Sequence, residues 1–308
     1  MFDNFVYIGR ERSVVEYSEH NIVSGNTEII LSVWEYETPR AVIIFIPATM
    51  IHPLCYEPLL RGFAEYGYAV VGLHPVGHGK SPRNVRRFTL RDIMQNTRDA
   101  VSFALERYKK PVIMMGTSQG GILAAWYASE DDRIAAVFPH NLMMPELSET
   151  LHVTRFPKWL RYVYRPWLFS IKILAALLPD MQVAYDVYLD PSRIYMNKKY
   201  SKMFVNDTLS LRKYPLCFLA SMLTTRFPGL VNGSVRCPIY AIADKRDKLF
   251  EMSYIQTVFD RLSAPYKEMI LFNTGEHMLM VTHPQEVCET LAPKIHEALT
   301  RSATTCLM

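Results

Sequence analysis

The stretch Val112-Ile113-Met114-Met115-Gly116-Thr117-Ser118-Gln119-Gly120-Gly121 runs straight from an uninterrupted apolar segment into the first turn of an apolar helical segment, Ser118 to Ser129. A short continuous apolar run of this kind reads as a strand buried on both faces of a parallel sheet. Gly116-x-Ser118-x-Gly120 stands at the junction of strand and helix. A sharp turn there lifts the serine hydroxyl above the sheet edge, and the glycines leave room for the tight backbone. The helix N-terminus adds unpaired N–H groups and the positive end of a dipole, which favour negative charge. A bare Gly-x-Ser-x-Gly match is weak. With an apolar strand before it and a helix after it, Ser118 becomes a candidate nucleophile.

The same alternation continues on both sides. Thr27–Tyr36, Ala41–Pro47, Tyr68–His74, Ile134–Pro139, Pro238–Ala243 and Glu268–Asn273 read as strands. Pro53–Gly67, Arg91–Lys109, Met252–Leu262 and Pro284–Leu299 carry helical spacing. This pattern predicts an α/β fold with a mostly parallel central sheet flanked by helices. The alternation breaks between Met144 and Cys237, in a stretch of aromatic residues cut by Pro157, Pro166, Pro179, Pro191, Pro215 and Pro228. The expected organisation is therefore a core in two pieces, residues 1–144 and 237–308, with a helical insertion at 145–236. That insertion holds thirteen Lys and Arg against six Asp and Glu, a net +7. The whole chain carries +4, so the remainder carries −3.

Several classes are excluded. A 308-residue chain with 49% hydrophobic and 21% charged residues is neither disordered nor short of core. Five cysteines, odd in number and without CxxC spacing, predict reduced thiols in a cytoplasmic setting rather than a disulfide framework or a zinc ribbon. Met1–Ser13 lacks the apolar run of a secretory signal, and Cys306 stands third from the end, one place off the prenylation pattern. Gly79-Lys80-Ser81 lacks the first glycine of a phosphate loop. His74 and His78 have no accompanying acid or Cys cluster, and a structural loop role is expected for them. The basic run Lys80, Arg83, Arg86, Arg87 and Arg91 has Phe88 as its only aromatic, so it reads as a solvated face and no nucleic-acid partner is expected. No metal and no cofactor are expected.

A serine nucleophile needs a base and an orienting acid, in the chain order Ser, Asp or Glu, His. His277 lies in Asn273-Thr274-Gly275-Glu276-His277, past the end of a strand, and is favoured over His283 and His296. Asp244 and Asp247 both follow the strand Pro238–Ala243, and Asp247 is favoured because it lies deeper in the loop. An oxyanion hole needs two backbone donors: Gln119, after the nucleophile, and Thr49, since Pro47 has no N–H.

These residues resemble the α/β-hydrolase superfamily, most closely its capped branch of monoglyceride lipases and related carboxylesterases. That branch carries a D-x-(R/V)-G-H-G-x-S loop, which reads here His74-Pro75-Val76-Gly77-His78-Gly79-Lys80-Ser81. It also carries a helical cap between its sixth and seventh strands, where 145–236 falls. The resemblance implies Ser118, Asp247 and His277 as a catalytic trio and an acyl-enzyme mechanism acting on carboxylic esters, lipid-like or monoacylglycerol-like among them. A slow ligand-binding or receptor member of the fold, an acyltransferase and a thioesterase stay open as alternatives. The chain departs from the branch in Pro47-Ala48 for His-Gly, Met50 for a frequent Gly, His74 for Asp and Gln119 for Met. Met50, Met143 and Met278 flank strand ends or site loops and are expected to line an apolar acyl pocket. Between residues 155 and 178, Trp159, Tyr162, Trp167 and Phe169 interleave with Arg155, Lys158, Arg161, Arg165 and Lys172. Two readings follow: a lid whose basic rim meets an anionic or membrane surface, or a roof packed on the core with solvated charges.

Overall fold

The structure, a computed structural model, describes residues 15–194 and 198–305. The segment Met1–Ser13 and Cys306, read above for targeting signals, lie outside the described residues. The chain builds β1 (Glu16–Ser24), β2 (Thr27–Glu35), β3 (Val42–Ile46), α1 (Glu57–Glu65), β4 (Ala69–His74), α2 (Leu90–Tyr108), β5 (Val112–Thr117), α3 (Gln119–Ala128) and β6 (Ile134–His140). After the insertion come β9 (Ile239–Asp244), α8 (Met252–Arg261), β10 (Lys267–Phe272), α9 (Leu279–Thr282) and α10 (Pro284–Thr305).

Eight strands form one sheet in the order β1-β2-β4-β3-β5-β6-β9-β10. From β4 to β10 neighbours run parallel; β1 and β2 are antiparallel at one edge. Every residue of β3, β4, β5 and β9 is buried. That is why these strands read as continuous apolar runs and not as alternating ones. β1 alternates between exposed and half-buried residues along a polar sequence, and so gave no apolar signal. All the parallel strands end on one side of the sheet, where a crevice in an α/β fold collects functional loops.

Between β6 and β9 the chain leaves the sheet. It forms α4 (Tyr164–Leu177), β7 (Gln182–Ala184), α5 (Pro191–Ile194), α6 (Lys198–Asn206), β8 (Lys213–Pro215) and α7 (Leu216–Thr224). β7 and β8 pair antiparallel, a three-residue ladder too short to show in sequence. The arginines of the basic run, Arg83, Arg86, Arg87 and Arg91, are exposed, and two of them also bond the insertion. Arg87 Nε donates to Asp180 Oδ1 across 2.8 Å, and Arg83 donates to the backbone carbonyls of Thr208 and Leu209. Those two arginines join the insertion to the loop between β4 and α2.

Candidate functional site

Ser118 stands between β5 and α3 with φ 52° and ψ −119°, a conformation that side chains rarely adopt. Two things hold it there. Its N–H donates to the carbonyl of His140, at the end of β6, across 2.8 Å. The flanking glycines allow backbone to meet backbone: a Cβ on Gly116 would lie 2.2 Å from the carbonyl oxygen of Gly120, and one on Gly120 would lie 2.1 Å from that of Ile46. The Gly-x-Ser-x-Gly spacing is thus a packing requirement. The hydroxyl is half-buried, at the N-terminus of α3, where the first N–H groups lack intrahelical partners.

Asp247 and His277 meet beside this turn. His277 Nδ1 lies 2.9 Å from Asp247 Oδ2. Asp247 Oδ1 accepts from the N–H groups of Leu249 and Phe250, at 2.7 and 3.1 Å. Burial pushes the Asp247 carboxyl up, but attraction and hydrogen bonding from His277 and these two amides bring it below the usual range. An ionised Asp247 requires the proton on Nδ1, which leaves the Nε2 lone pair of His277 free. The Phe250 ring lies parallel to the imidazole, 5.6 Å between centroids, and fixes its plane. No hydrogen bond joins the Ser118 hydroxyl to His277 among the described residues. His140 lies beside both: its backbone carbonyl accepts from the Ser118 amide, and its ring centroid is 6.4 Å from that of His277.

Asp244 does something different. Its carboxylate accepts from the Thr274 N–H and hydroxyl, the Gly275 N–H and the Arg246 N–H, at 2.6–3.0 Å. It staples the loop that carries His277 to the end of β9. His283 bonds its neighbour Thr282 and is not joined to either aspartate. Asn141 was missed by sequence reasoning. Its Nδ2 donates to Asp247 Oδ2 across 2.9 Å and lies 3.2 Å from His277 Nδ1. Its position just past the end of β6 was the signal available in the sequence; the structure gives it φ 60°.

The two oxyanion candidates also lie together: the Thr49 hydroxyl donates to Gln119 Oε1 across 2.9 Å. The following residue, Met50, has φ 75°, in the left-handed region that favours glycine. A methionine is held there by the insertion. Met50 N–H donates to the Tyr214 hydroxyl at 2.6 Å, and Met50 C=O accepts from the Leu211 N–H at 2.7 Å. Tyr214 in turn donates to His78 Nε2 at 2.9 Å, while His78 Nδ1 donates to Val76 C=O at 2.8 Å. His78 is therefore a buried neutral prop, held down to about 4 by burial. His74 is likewise structural, bonded to Ser32 and the Lys80 amide. Met50, Met143 and Met278 are all buried in the main core, and Met50 also borders a cavity of about 50 Å³ with Ile51, Phe204 and Leu211. No metal-type cluster of His, Cys and acid lies at this site among the described residues.

The Hydrolase_4 family, described as serine aminopeptidase, S33, matches residues 37–283. The chain belongs to this family. It is an α/β hydrolase, and solved structures repeat the fold at low identity. A soluble variant of monoglyceride lipase from Saccharomyces cerevisiae, solved with a substrate analog, superposes with a TM-score of 0.73 at 14% identity, covering 96% of this chain and 98% of that one. A thermostable carboxyl esterase from Bacillus coagulans, bound to glycerol, gives 0.71 at 15%, covering 93% and 100%. A monoacylglycerol lipase from Paleococcus ferrophilus gives 0.66 at 16%, covering 90% and 99%. No curated protein matches the sequence. No described helix is long and apolar enough to cross a membrane.

Proposed function

We propose that the protein is a serine hydrolase of carboxylic esters with apolar acyl groups. Ser118 Oγ attacks the ester carbonyl carbon while His277 Nε2 takes its proton, and Asp247 holds the imidazole by Nδ1. The N–H groups of Gln119 and Thr49 receive the oxyanion. Collapse expels the alcohol, protonated by His277. Water, deprotonated by the same nitrogen, then releases the acid and restores Ser118. What supports this reading most is the buried Asp247–His277 pair beside a serine held at positive φ. Residues 145–236 act as a cap on a core made of 1–144 and 237–308, and Met50, Met143 and Met278 contribute to the acyl side. Four cysteines free of disulfides among the described residues suit a cytoplasmic setting.

The exterior of the cap adds a lipid surface to this reading. Phe169, Ile173 and Leu177 repeat at four-residue spacing on α4 and are 65%, 46% and 72% exposed. Trp159 and Tyr162 are 61% and 75% exposed. Lys158, Arg161, Arg165 and Lys172 stand among them, also exposed. An apolar stripe facing outward within a basic field fits an anionic bilayer. Leu160 and Tyr164, with Phe156, Trp167 and Leu168 against them, and Ala175 with Ile171, pack inward as the roof reading expects.

Fluorophosphonate labelling tests the chemistry. Rapid covalent labelling of Ser118, lost with aryl-ester hydrolysis in Ser118→Ala, is the expected result. Folded wild-type protein that stays unlabelled would falsify the enzyme reading and leave a ligand-binding member of the fold.

A further inference from the structure

The strap Asp207–Tyr214 of the insertion is anchored along the loop that carries Thr49 and Met50. Its first anchor has an unusual chemistry. His52 Nε2, Cys55 Sγ and Asp207 Oδ2 turn toward one another: 2.7 Å from nitrogen to oxygen, 3.5 Å from sulfur to nitrogen and 3.9 Å from sulfur to oxygen. This is not a second Cys-His-Asp nucleophile. There the acid and the thiol occupy opposite ring nitrogens; here both face Nε2, and His52 Nδ1 is buried without a partner.

The triangle does suit a cation. The three atoms lie within 3.9 Å of one another, and tetrahedral zinc needs donors about 3.3–3.5 Å apart, so binding requires His52 Nε2 and Asp207 Oδ2 to part by about 0.6 Å from their 2.7 Å hydrogen bond and the thiol to close on the carboxylate by about 0.4 Å. Nitrogen, sulfur and one carboxylate oxygen form a borderline-soft donor set, which selects zinc-like ions over magnesium or calcium. The carboxylate is already oriented from behind: Asp207 Oδ2 accepts from the Ser210 hydroxyl at 2.6 Å, and Oδ1 from the Leu209 N–H at 2.9 Å. Cys55 and Asp207 are only partly buried, which leaves solvent a way in and a place for a water as fourth ligand.

We propose that His52, Cys55 and Asp207 form a zinc-type cation site that clamps the strap onto the loop bearing Thr49. On binding, the Cys55 thiol proton goes to solvent and sulfur coordinates as thiolate. The His52 proton, on Nε2 when that nitrogen donates to Asp207, moves to Nδ1, so one proton leaves per ion bound. The clamp is separate from the proposed chemistry and does not depend on it.

The test is a titration of full-length, chelator-treated protein with Zn²⁺ by calorimetry and with Co²⁺ by absorbance. One saturable site per chain is expected, with a thiolate-to-cobalt charge-transfer band in the near ultraviolet and a Zn²⁺-dependent rise in Tm. Cys55→Ala should abolish the band, and Cys55→Ala, His52→Gln and Asp207→Asn should each weaken binding by at least about tenfold, with circular dichroism confirming a folded chain. A wild-type protein that binds no ion, or shows no thiolate band, overturns the proposal and makes the triangle a hydrogen-bonded latch only. So does Zn²⁺ binding that survives Cys55→Ala combined with His52→Gln.

Discussion

Asn141 Nδ2 donates to the same Asp247 oxygen that faces His277 Nδ1, so one carboxylate oxygen collects two buried donors 3.2 Å apart. The amide donor favours negative charge on Asp247, and the ionised carboxylate, an acceptor only, holds the proton on Nδ1. A hydrogen bond to a charged group contributes roughly 1.5–3 kcal/mol. Asn141→Ala should therefore lower kcat for an aryl ester by about tenfold to hundredfold, with KM little changed. Asp247→Asn, which imposes the wrong tautomer, should cost on the order of 10⁴-fold. Equal rates in Asn141→Ala and wild type would make the amide mere packing.

Asp247 and Asp244 are three residues apart, and the sequence ranks Asp247 first for its depth in the loop and for the Leu249 and Phe250 that follow and can anchor it. The structure separates them by what they touch. Asp244, fully buried, satisfies three backbone N–H groups and one hydroxyl, so Asp244→Ala leaves several buried donors unpaired. Each such donor costs about 1–3 kcal/mol, offset by any water that enters. We expect a loss of at least about 2 kcal/mol in urea unfolding, with a smaller kcat defect than in Asp247→Asn. The reverse ranking in kcat would move the acid to Asp244.

Ser118 sits at φ 52° where glycine would be at ease. Such strain costs about 1–3 kcal/mol, and glycine forfeits roughly 0.5–1 kcal/mol through its freer unfolded chain. Ser118→Gly is expected to raise stability by about 1 kcal/mol while ending hydrolysis. Its urea midpoint decides the matter: a value below wild type means the turn is relaxed.

How far the sequence could be read follows from the range of its signals. β3, β4, β5 and β9 were legible because strands buried on both faces carry continuous apolar runs. Ser118 was legible because Gly116 and Gly120 are dictated by local close approach. β1 was not, since an edge strand needs no apolar face. Asn141 escaped because its role depends on two loops more than a hundred residues away. The strap was hidden for the same reason. Asp207, Leu211 and Tyr214 acquire meaning only when the insertion folds back on His52 and Met50.

Acid should weaken the fold before it touches the carboxylates. Burial holds His78 at about 4 and His140 at about 3 in the folded protein, against about 6.5 unfolded. Between these limits the unfolded chain binds protons that the folded chain refuses, so stability falls as pH drops. The contribution is whole above pH 6.5 and is lost progressively toward pH 4. At pH 5 the loss is about 2 kcal/mol per histidine. Urea midpoints at pH 7 and pH 5 measure it, and His78→Gln should flatten part of the slope. A midpoint unchanged over that interval rules the effect out.

The cap's outward stripe carries the last prediction. A surface helix normally turns its apolar face to the core. α4 does so with Ala175 and Ile171, which pack toward Leu216 and Ala220, yet Phe169, Ile173 and Leu177 remain in water. Burying such side chains contributes about 1.5–3 kcal/mol each in a fully apolar setting, less at an interface. Basic residues near an anionic surface add about 1 kcal/mol each, screened over a Debye length of about 8 Å at physiological salt. The two contributions separate by salt. Wild-type protein should sediment with anionic vesicles at low salt and more weakly at high salt, and hardly with zwitterionic ones. Lys158, Arg161, Arg165 and Lys172 replaced together by Gln should remove the salt-dependent part. Ile173→Asp with Leu177→Asp should remove binding at every salt concentration, and both variants should still hydrolyse a small soluble ester because none of these residues reaches Ser118, Asp247 or His277. If wild-type protein ignores anionic vesicles even at low salt, the stripe has no membrane role and the cap is a roof alone.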